Sequence, residues 1–218
     1  MSNLRATVFG ATGLVGKELV QLLAEDEDYQ KVYLANRREV DYSSKKLKSY
    51  VVDFDKLEEE EEVLFKVDHI FIALGTTINK AGSQAKFKAV DLGLPSRIAK
   101  LSKASKLIMV SSLGANPESS NFYLQTKGRA EEAIIEESDA VVHIVRPSLL
   151  LGDRQESRLG ESIAKFFIQK LSFLLQGSLK QYRGIQARTV AQSMIFLAKN
   201  RNNAAVLESE EMKKLTQP

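Results

Sequence analysis

Tyr123 and Lys127 stand four residues apart in "FYLQTKGRA", a spacing that puts both on one face of a helix, with Ala130 and Ile134 continuing the line. A tyrosine, with an ordinary pKa of about 10, carries protons poorly at neutral pH unless a nearby cation favours its phenolate. Lys127 can be that cation. Upstream, "SS" at 111–112 closes the apolar run "KLIMV", and Ser112 is the hydroxyl chosen to hold the oxygen of a carbonyl or an alcohol. The three residues read as a set for proton transfer: Ser112 orients, Tyr123 gives or takes the proton, Lys127 tunes it.

A second pattern supplies what that set would work beside. Residues 10–16 read "GATGLVG", directly behind an apolar run and directly ahead of "KELVQLLAED". A strand that hands over to a helix in so few residues needs a turn with backbone freedom, which Gly10 supplies. The amides that open the helix, at Leu14, Val15 and Gly16, form an anion site, and the absent side chain at Gly13 lets a pyrophosphate approach. Thr12 adds a hydroxyl. Roughly 20 residues further on, where NAD-preferring sites often carry an acid, the chain reads "LANRREV". Arg37 and Arg38 suit a 2′-phosphate instead, because a guanidinium pairs with phosphate oxygens and stacks on adenine. The expected cofactor is NADP(H) in preference to NAD(H), with hydride passing between its nicotinamide and the carbon whose oxygen Ser112 holds.

These residues need a scaffold. Apolar, β-branched runs recur at 4–9, 31–35, 49–52, 69–74, 106–111 and 140–145, mostly without polar alternation, as in strands covered on both faces. Helical patterns lie between them near 14–25, 55–66, 81–104 and 121–138. The order is that of a doubly wound α/β fold with a mostly parallel sheet. After Pro147 the rhythm changes: a polar loop "GDRQESR" at 152–158, an amphipathic stretch at 163–175 and a helix near 189–199. With no linker rich in Pro, Gly or Ser, residues 1–218 are expected to be one domain, with 148–188 contributing a cap on the substrate side. The run "EEEEE" at 58–62 reads as a solvated helix face.

Composition narrows the classes. The 218 residues are 44% apolar and 27% charged, as in a soluble globular protein. A net charge of +3, from 31 basic and 28 acidic residues, is too balanced for a dedicated nucleic-acid binder. There is no cysteine, which excludes disulfides, thiolate zinc sites and the cysteine route of aldehyde dehydrogenases. His69 and His143 fall inside strands as core residues, so no metal site is expected. No apolar stretch approaches the roughly 20 residues of a membrane helix, and the first strand begins by residue 4. The expected location is the cytoplasm, with no membrane partner.

"GATGLVG", "SS" and "YLQTK" together resemble the short-chain dehydrogenase/reductase superfamily, in its atypical and extended branch. "VVDFDKL", "ALGTT", "AGSQAKFKAVD", "SSNFYLQTKGRAEE" and "DRQESRLGE" are similar to the Tat-interacting-protein-like oxidoreductases within it. The resemblance implies a Rossmann fold with Ser112, Tyr123 and Lys127 as the catalytic trio. It further implies Asp53 beside the adenine amino group, Leu74, Gly75 and Thr76 along the cofactor's ribose, and Pro147 beside the nicotinamide carboxamide. Where the superfamily often carries a functional asparagine on its fourth helix, this chain reads "KAVDLG", with Asp91 in that neighbourhood.

The substrate is expected to be a small carbonyl compound or alcohol, turned over by a monomer or homodimer. Asp153, Arg154, Glu156 and Arg158 are read as a salt-bridged loop or a contact for a polar substrate. Phe166, Phe167, Phe173 and Tyr182 are read as core, pocket wall or dimer surface. Two rivals stand beside the reductase: a regulatory module that binds the dinucleotide without turnover, and a nucleotide-sugar epimerase or dehydratase. The short stretch after Pro147 weighs against the latter, and the complete Ser, Tyr and Lys set against the former.

Overall fold

The computed structural model describes residues 2–151, 184–200, 203 and 205–216. Its strands are β1 (Leu4–Phe9), β2 (Tyr29–Asn36), β3 (Leu47–Val51), β4 (His69–Ile72), β5 (Lys106–Val110) and β6 (Val141–Arg146), then β7 (Leu150–Leu151), β8 (Ile185–Gln186) and β9 (Ala205–Glu208). The helices are α1 (Leu14–Glu25), α2 (Ile78–Ala81), α3 (Gln84–Lys88), α4 (Leu94–Leu101) and α5 (Phe122–Glu137), with α6 (Ala187–Asn200) and α7 (Ser209–Thr216) after them. Seven strands form one sheet in the order β3-β2-β1-β4-β5-β6-β9, and every pairing in it is parallel. The doubly wound expectation holds, extended by one edge strand.

The lack of polar alternation along the strands has its cause in two cores. Val8, Leu34, Phe71, Ile108 and Val145 point to one face and meet Leu19 and Leu23 of α1 and Val190, Met194 and Leu197 of α6. Their neighbours Phe9, Ala35, Ile70, Ile72, Met109 and Ile144 point to the other face. There they meet Leu57, Leu64, Ile98 of α4, and Ala130 and Ile134 of α5. Alternation is present, but both directions lead to apolar cover. Because all seven strands run the same way, their carboxyl ends share one edge. Segments distant in the chain therefore meet there.

Beside the sheet, β7 and β8 form a two-stranded parallel ribbon in which Leu150 faces Ile185 and the Ile185 amide donates to Leu149 O at 2.9 Å. The loop at 152–158, the stretch at 163–175 and the four aromatics from Phe166 to Tyr182 lie outside the described residues.

Two predicted helices differ. The 55–66 segment is a pair of 3₁₀ turns, Phe54–Glu59 and Glu62–Leu64, so "EEEEE" decorates turns and not a helix face. The 81–104 segment is broken: Gly82, at φ 79°, ends α2, Ser83 caps α3, and a π-helical turn at Ala89–Gly93 joins α3 to α4.

At the opposite edge of the sheet, the Tyr29 hydroxyl lies 2.7 Å from His69 Nδ1, both side chains being buried. Burial pushes the Tyr29 phenol up and pulls His69 down to about 4, with Lys106 adding to the latter. A neutral imidazole accepting from a phenol is the pairing that results. Below the ordinary value of 6.5 the unfolded chain takes up this proton and the folded one does not. The pair's contribution is thus complete above pH 6.5 and is lost as pH falls towards 4. Unfolding free energy should drop by about 3 kcal/mol across that window, and His69→Asn should remove this component from the pH dependence of urea midpoints.

Candidate functional site

The carboxyl edge begins at the turn between β1 and α1. Gly10 takes φ 91°, and a Cβ there would stand 2.6 Å from Ala73 O. The Gly13 amide donates to Gly10 O at 3.0 Å, closing the turn, and Gly13 then caps α1 without any side-chain hydrogen bond. At Gly16 a Cβ would lie 2.0 Å from Gly10 O, so only glycine lets α1 pack this close to the strand end. The outcome is a helix that opens at this edge with Leu14 and Val15 and, among the described residues, no side-chain hydrogen bond at its cap, next to the exposed Thr12 and Gly13. The Val15 side chain itself belongs to the core. This cradle lies where the strand order reverses, with β2 on one side of β1 and β4 on the other, the position at which open α/β sheets take their ligands. A dinucleotide pyrophosphate fits it on grounds of charge and space.

Past β2, Asn36 is buried and its amide donates to Ser49 Oγ at 3.1 Å, which fixes the strand end from which the exposed Arg37 and Arg38 project. Past β3, Asp53 is exposed and caps the first 3₁₀ turn by accepting from Asp55 N at 3.0 Å. Past β4, the Ala73 amide donates to Phe9 O, and Leu74, Gly75 and Thr76 continue beside the cradle. Past β5 and β6, the Ser111 amide donates to Val145 O at 2.8 Å and the Leu113 amide to Pro147 O at 2.9 Å. Buried Ser112 is thereby clamped beside buried Pro147.

Helix α5 brings the remaining two. Asn121 caps it by accepting from Leu124 N at 3.1 Å, which puts Tyr123 in the first turn and Lys127 one turn later. The helix lies against the loop after Ser112: the Asn116 amide donates to Leu124 O at 3.2 Å, and a Cβ at Gly128 would stand 2.2 Å from Pro117 N. The half-buried Tyr123 packs its ring 5.8 Å from that of Phe87, while Lys127 is buried. All the predicted residues sit at strand ends on one edge or on the helix docked there. Arg37, Arg38 and Asp53 lie on the β2–β3 side, and Ser112, Tyr123, Lys127 and Pro147 on the β5–β6 side.

Two features escape a reading of the sequence. Lys127 Nζ lies 2.7 Å from Asp91 Oδ1 on the π turn, and the Thr76 amide donates to Asp91 Oδ2 at 2.9 Å. Burial pushes the Lys127 ammonium down, but Asp91, then the Tyr123 phenol and Glu131, outweigh it and hold its pKa above the ordinary lysine value. Glu131, buried one turn beyond, accepts from Ser111 Oγ and takes Arg146 through Nε at 3.0 Å and Nη2 at 2.5 Å. This clasp ties α5 to the ends of β5 and β6, and its hydrogen bond raises the Arg146 pKa. Glu131 stands four residues after Lys127, so its helix face was readable; its partners on two other strands were not.

The chain matches the NAD(P)H-binding family over residues 10–166. It is 35% identical over 199 residues to the mitochondrial protein FMP52 of Debaryomyces hansenii, covering 88% of this chain and 87% of that one. It is 36% identical over 177 residues to protein HTATIP2 of Rattus norvegicus, covering 78% and 73%. In structure it is similar to MoeE5 in complex with UDP-glucose and NAD, with a TM-score of 0.69, 16% identity, and coverage of 97% of this chain and 82% of that one. It is also similar to human epimerase family protein SDR39U1 with NADPH, at TM-score 0.61 and 18% identity, covering 94% and 73%. At these identities the structural likeness is one of fold.

The cytoplasmic expectation is overturned. The FMP52 relatives from Debaryomyces hansenii, Scheffersomyces stipitis and Candida albicans are mitochondrial by name. No helix among the described residues is long and apolar enough to span a bilayer, and this leaves open which compartment a receptor-read address would select.

Proposed function

Because the chain belongs to the NAD(P)H-binding family, in the short-chain dehydrogenase/reductase group that includes HTATIP2, we propose that it is an NADP(H)-dependent oxidoreductase that interconverts a small carbonyl compound and its alcohol. The observation that carries this reading is a buried ammonium, Lys127, one helical turn after Tyr123 and at the same sheet edge as the uncapped start of α1. A charge of that kind is costly to bury and has a use where a phenol must exchange its proton.

In this reading the amides of Leu14, Val15 and Gly16, the Thr12 hydroxyl and the open face of Gly13 hold the pyrophosphate. Arg37 and Arg38 meet the 2′-phosphate, Asp53 the adenine amino group, Leu74, Gly75 and Thr76 the ribose, and Pro147 the carboxamide. The bound nicotinamide supplies or accepts the hydride. Ser112 donates a hydrogen bond to the reacting oxygen, Tyr123 moves the proton at that oxygen, and Lys127 holds the phenol in electrostatic contact.

Titration of nucleotide fluorescence tests the first half. NADPH should bind more tightly than NADH, and the double variant Arg37→Ala/Arg38→Ala should weaken NADPH about 10- to 100-fold with NADH nearly unchanged. Tighter NADH binding by the wild-type protein would overturn the assignment of the two arginines. A panel of small aldehydes and ketones, monitored by NADPH oxidation, tests the second half. Firm NADPH binding without consumption of any of them would favour the regulatory module.

A further inference from the structure

Asp91 is a carboxylate only 2% exposed, and a buried charge of this kind needs partners. Its two oxygens have different partners: Oδ1 the Lys127 ammonium at 2.7 Å, Oδ2 the Thr76 amide at 2.9 Å. The backbone that carries it is unusual as well. Residues Ala89–Gly93 form a π-helical turn in which the Leu94 amide reaches back to Ala89 O, between two ordinary helices. One extra residue in a turn rotates the helix beyond it, and such turns are rare and frequently lie at functional sites. A wound-out turn and a buried carboxylate thus coincide at one residue, and both are directed at Lys127.

We propose that Asp91 is a positioning residue that acts on Tyr123 through Lys127, neutralising the ammonium so that Tyr123 rests as the protonated phenol, the form that carbonyl reduction consumes at the substrate oxygen. The inference rests on the reading of Tyr123 as the proton-transfer group. Its physical basis is simple. A lone ammonium acts on a neighbouring phenol as a full charge, whereas an ammonium in contact with a carboxylate acts as a dipole, whose field falls away faster. Among the described residues, the charged groups that face Lys127 are Asp91 from the π turn and Glu131 from its own helix, Glu131 being itself neutralised by Arg146, and Tyr123 is the remaining titratable neighbour. Formal charge in the cluster cancels, so little net positive potential is left to favour a phenolate. In the reduction, the carbonyl carbon receives a hydride from NADPH, its oxygen receives the Tyr123 proton, and the phenolate is refilled from water.

The Thr76 contact gives the same carboxylate a second effect. Thr76 ends the segment that the functional reading puts along the ribose, so Asp91 joins that segment to the lysine.

The test uses the full-length, cofactor-free protein labelled at tyrosine Cζ and lysine Cε, with Tyr123 and Lys127 assigned from Tyr123→Phe and Lys127→Met. In Asp91→Asn, which keeps the shape and loses the charge, the first proton to leave the Tyr123–Lys127 pair should do so about one pH unit or more below the wild-type value, whichever resonance reports it. Unchanged titration of both resonances in a folded variant would overturn the proposal, since a merely structural Asp91 would change stability and not this midpoint. Should Asp91→Asn fail to fold, the wild-type protein decides alone. A phenol-type Tyr123 resonance at neutral pH, with a slowly exchanging Lys127 ammonium, supports the proposal; a phenolate resonance, or a rapidly exchanging ammonium, refutes it. Neither readout needs cofactor or substrate, so failure of NADPH to bind would count against the oxidoreductase reading and leave this result standing.

Discussion

Tyr123→Phe is expected to lower kcat/KM for carbonyl reduction by about three orders of magnitude, with the NADPH dissociation constant within about twofold of wild type. The substitution removes one oxygen and leaves the ring, so packing against Phe87, 5.8 Å away, is retained and α5 keeps its place. Loss of the proton carrier acts in the transition state, where charge develops on the substrate oxygen, and not on the ground-state complex. Initial rates and a fluorescence titration on the same preparation separate the two quantities. Full activity in this variant would remove Tyr123 from the chemistry. A parallel loss of cofactor affinity would instead mark it as a binding residue.

Gly16→Val is expected to be the most damaging single change at the cradle, costing more than about 4 kcal/mol of stability and abolishing NADPH binding. The first added carbon would stand 2.0 Å from Gly10 O, 2.9 Å from Gly10 C and 3.0 Å from Ala11 Cα, all of them backbone atoms that cannot rotate aside. Relief requires α1 to move outward, and α1 carries Val15, Leu19, Val20 and Leu23 into the core. Gly13→Ala supplies the contrast. Its Cβ would meet Gly10 O at 3.3 Å and Ala73 O at 3.7 Å, and Gly13 has an ordinary extended conformation, so the fold should survive while the cofactor's approach is obstructed. Urea midpoints with NADPH titrations distinguish the variants. Near-wild-type affinity in Gly13→Ala would detach the turn from the pyrophosphate.

Much of this site is legible in the amino-acid sequence, because its parts are local signals repeated at strand ends. Gly10, Gly13 and Gly16 mark one βα turn, and the 14–25 periodicity directly after it coincides with α1. Tyr123 and Lys127 need only a helical period. The 55–66 segment deceives for a physical reason: five successive glutamates carry like charges at helical neighbours, which disfavours an α-helix, while buried Leu57 and Leu64 pin two shorter turns. At 81–104 the break is written as Gly82 and then Ser83, a helix stop and a helix start, but the apolar pattern on both sides masks it. Strand β9 and helix α7 escape because a four-residue edge strand scarcely has a period to detect. The Asp91–Lys127 and Glu131–Arg146 contacts join segments far apart in the chain, and no spacing encodes them.

The paired β7 and β8 strands have an engineering consequence. The chain departs at Leu151 and returns at Gly184 and Ile185 immediately beside it, with a Cβ at Gly184 only 2.6 Å from the Leu151 side chain, so both attachment points are anchored to each other as well as to the sheet. A graft that begins after Leu151 and ends before Gly184 therefore leaves the β7–β8 pairing itself untouched. Chimaeras grafted at this doorway, assayed on one panel of carbonyl compounds, would test whether substrate preference travels with the transplanted run.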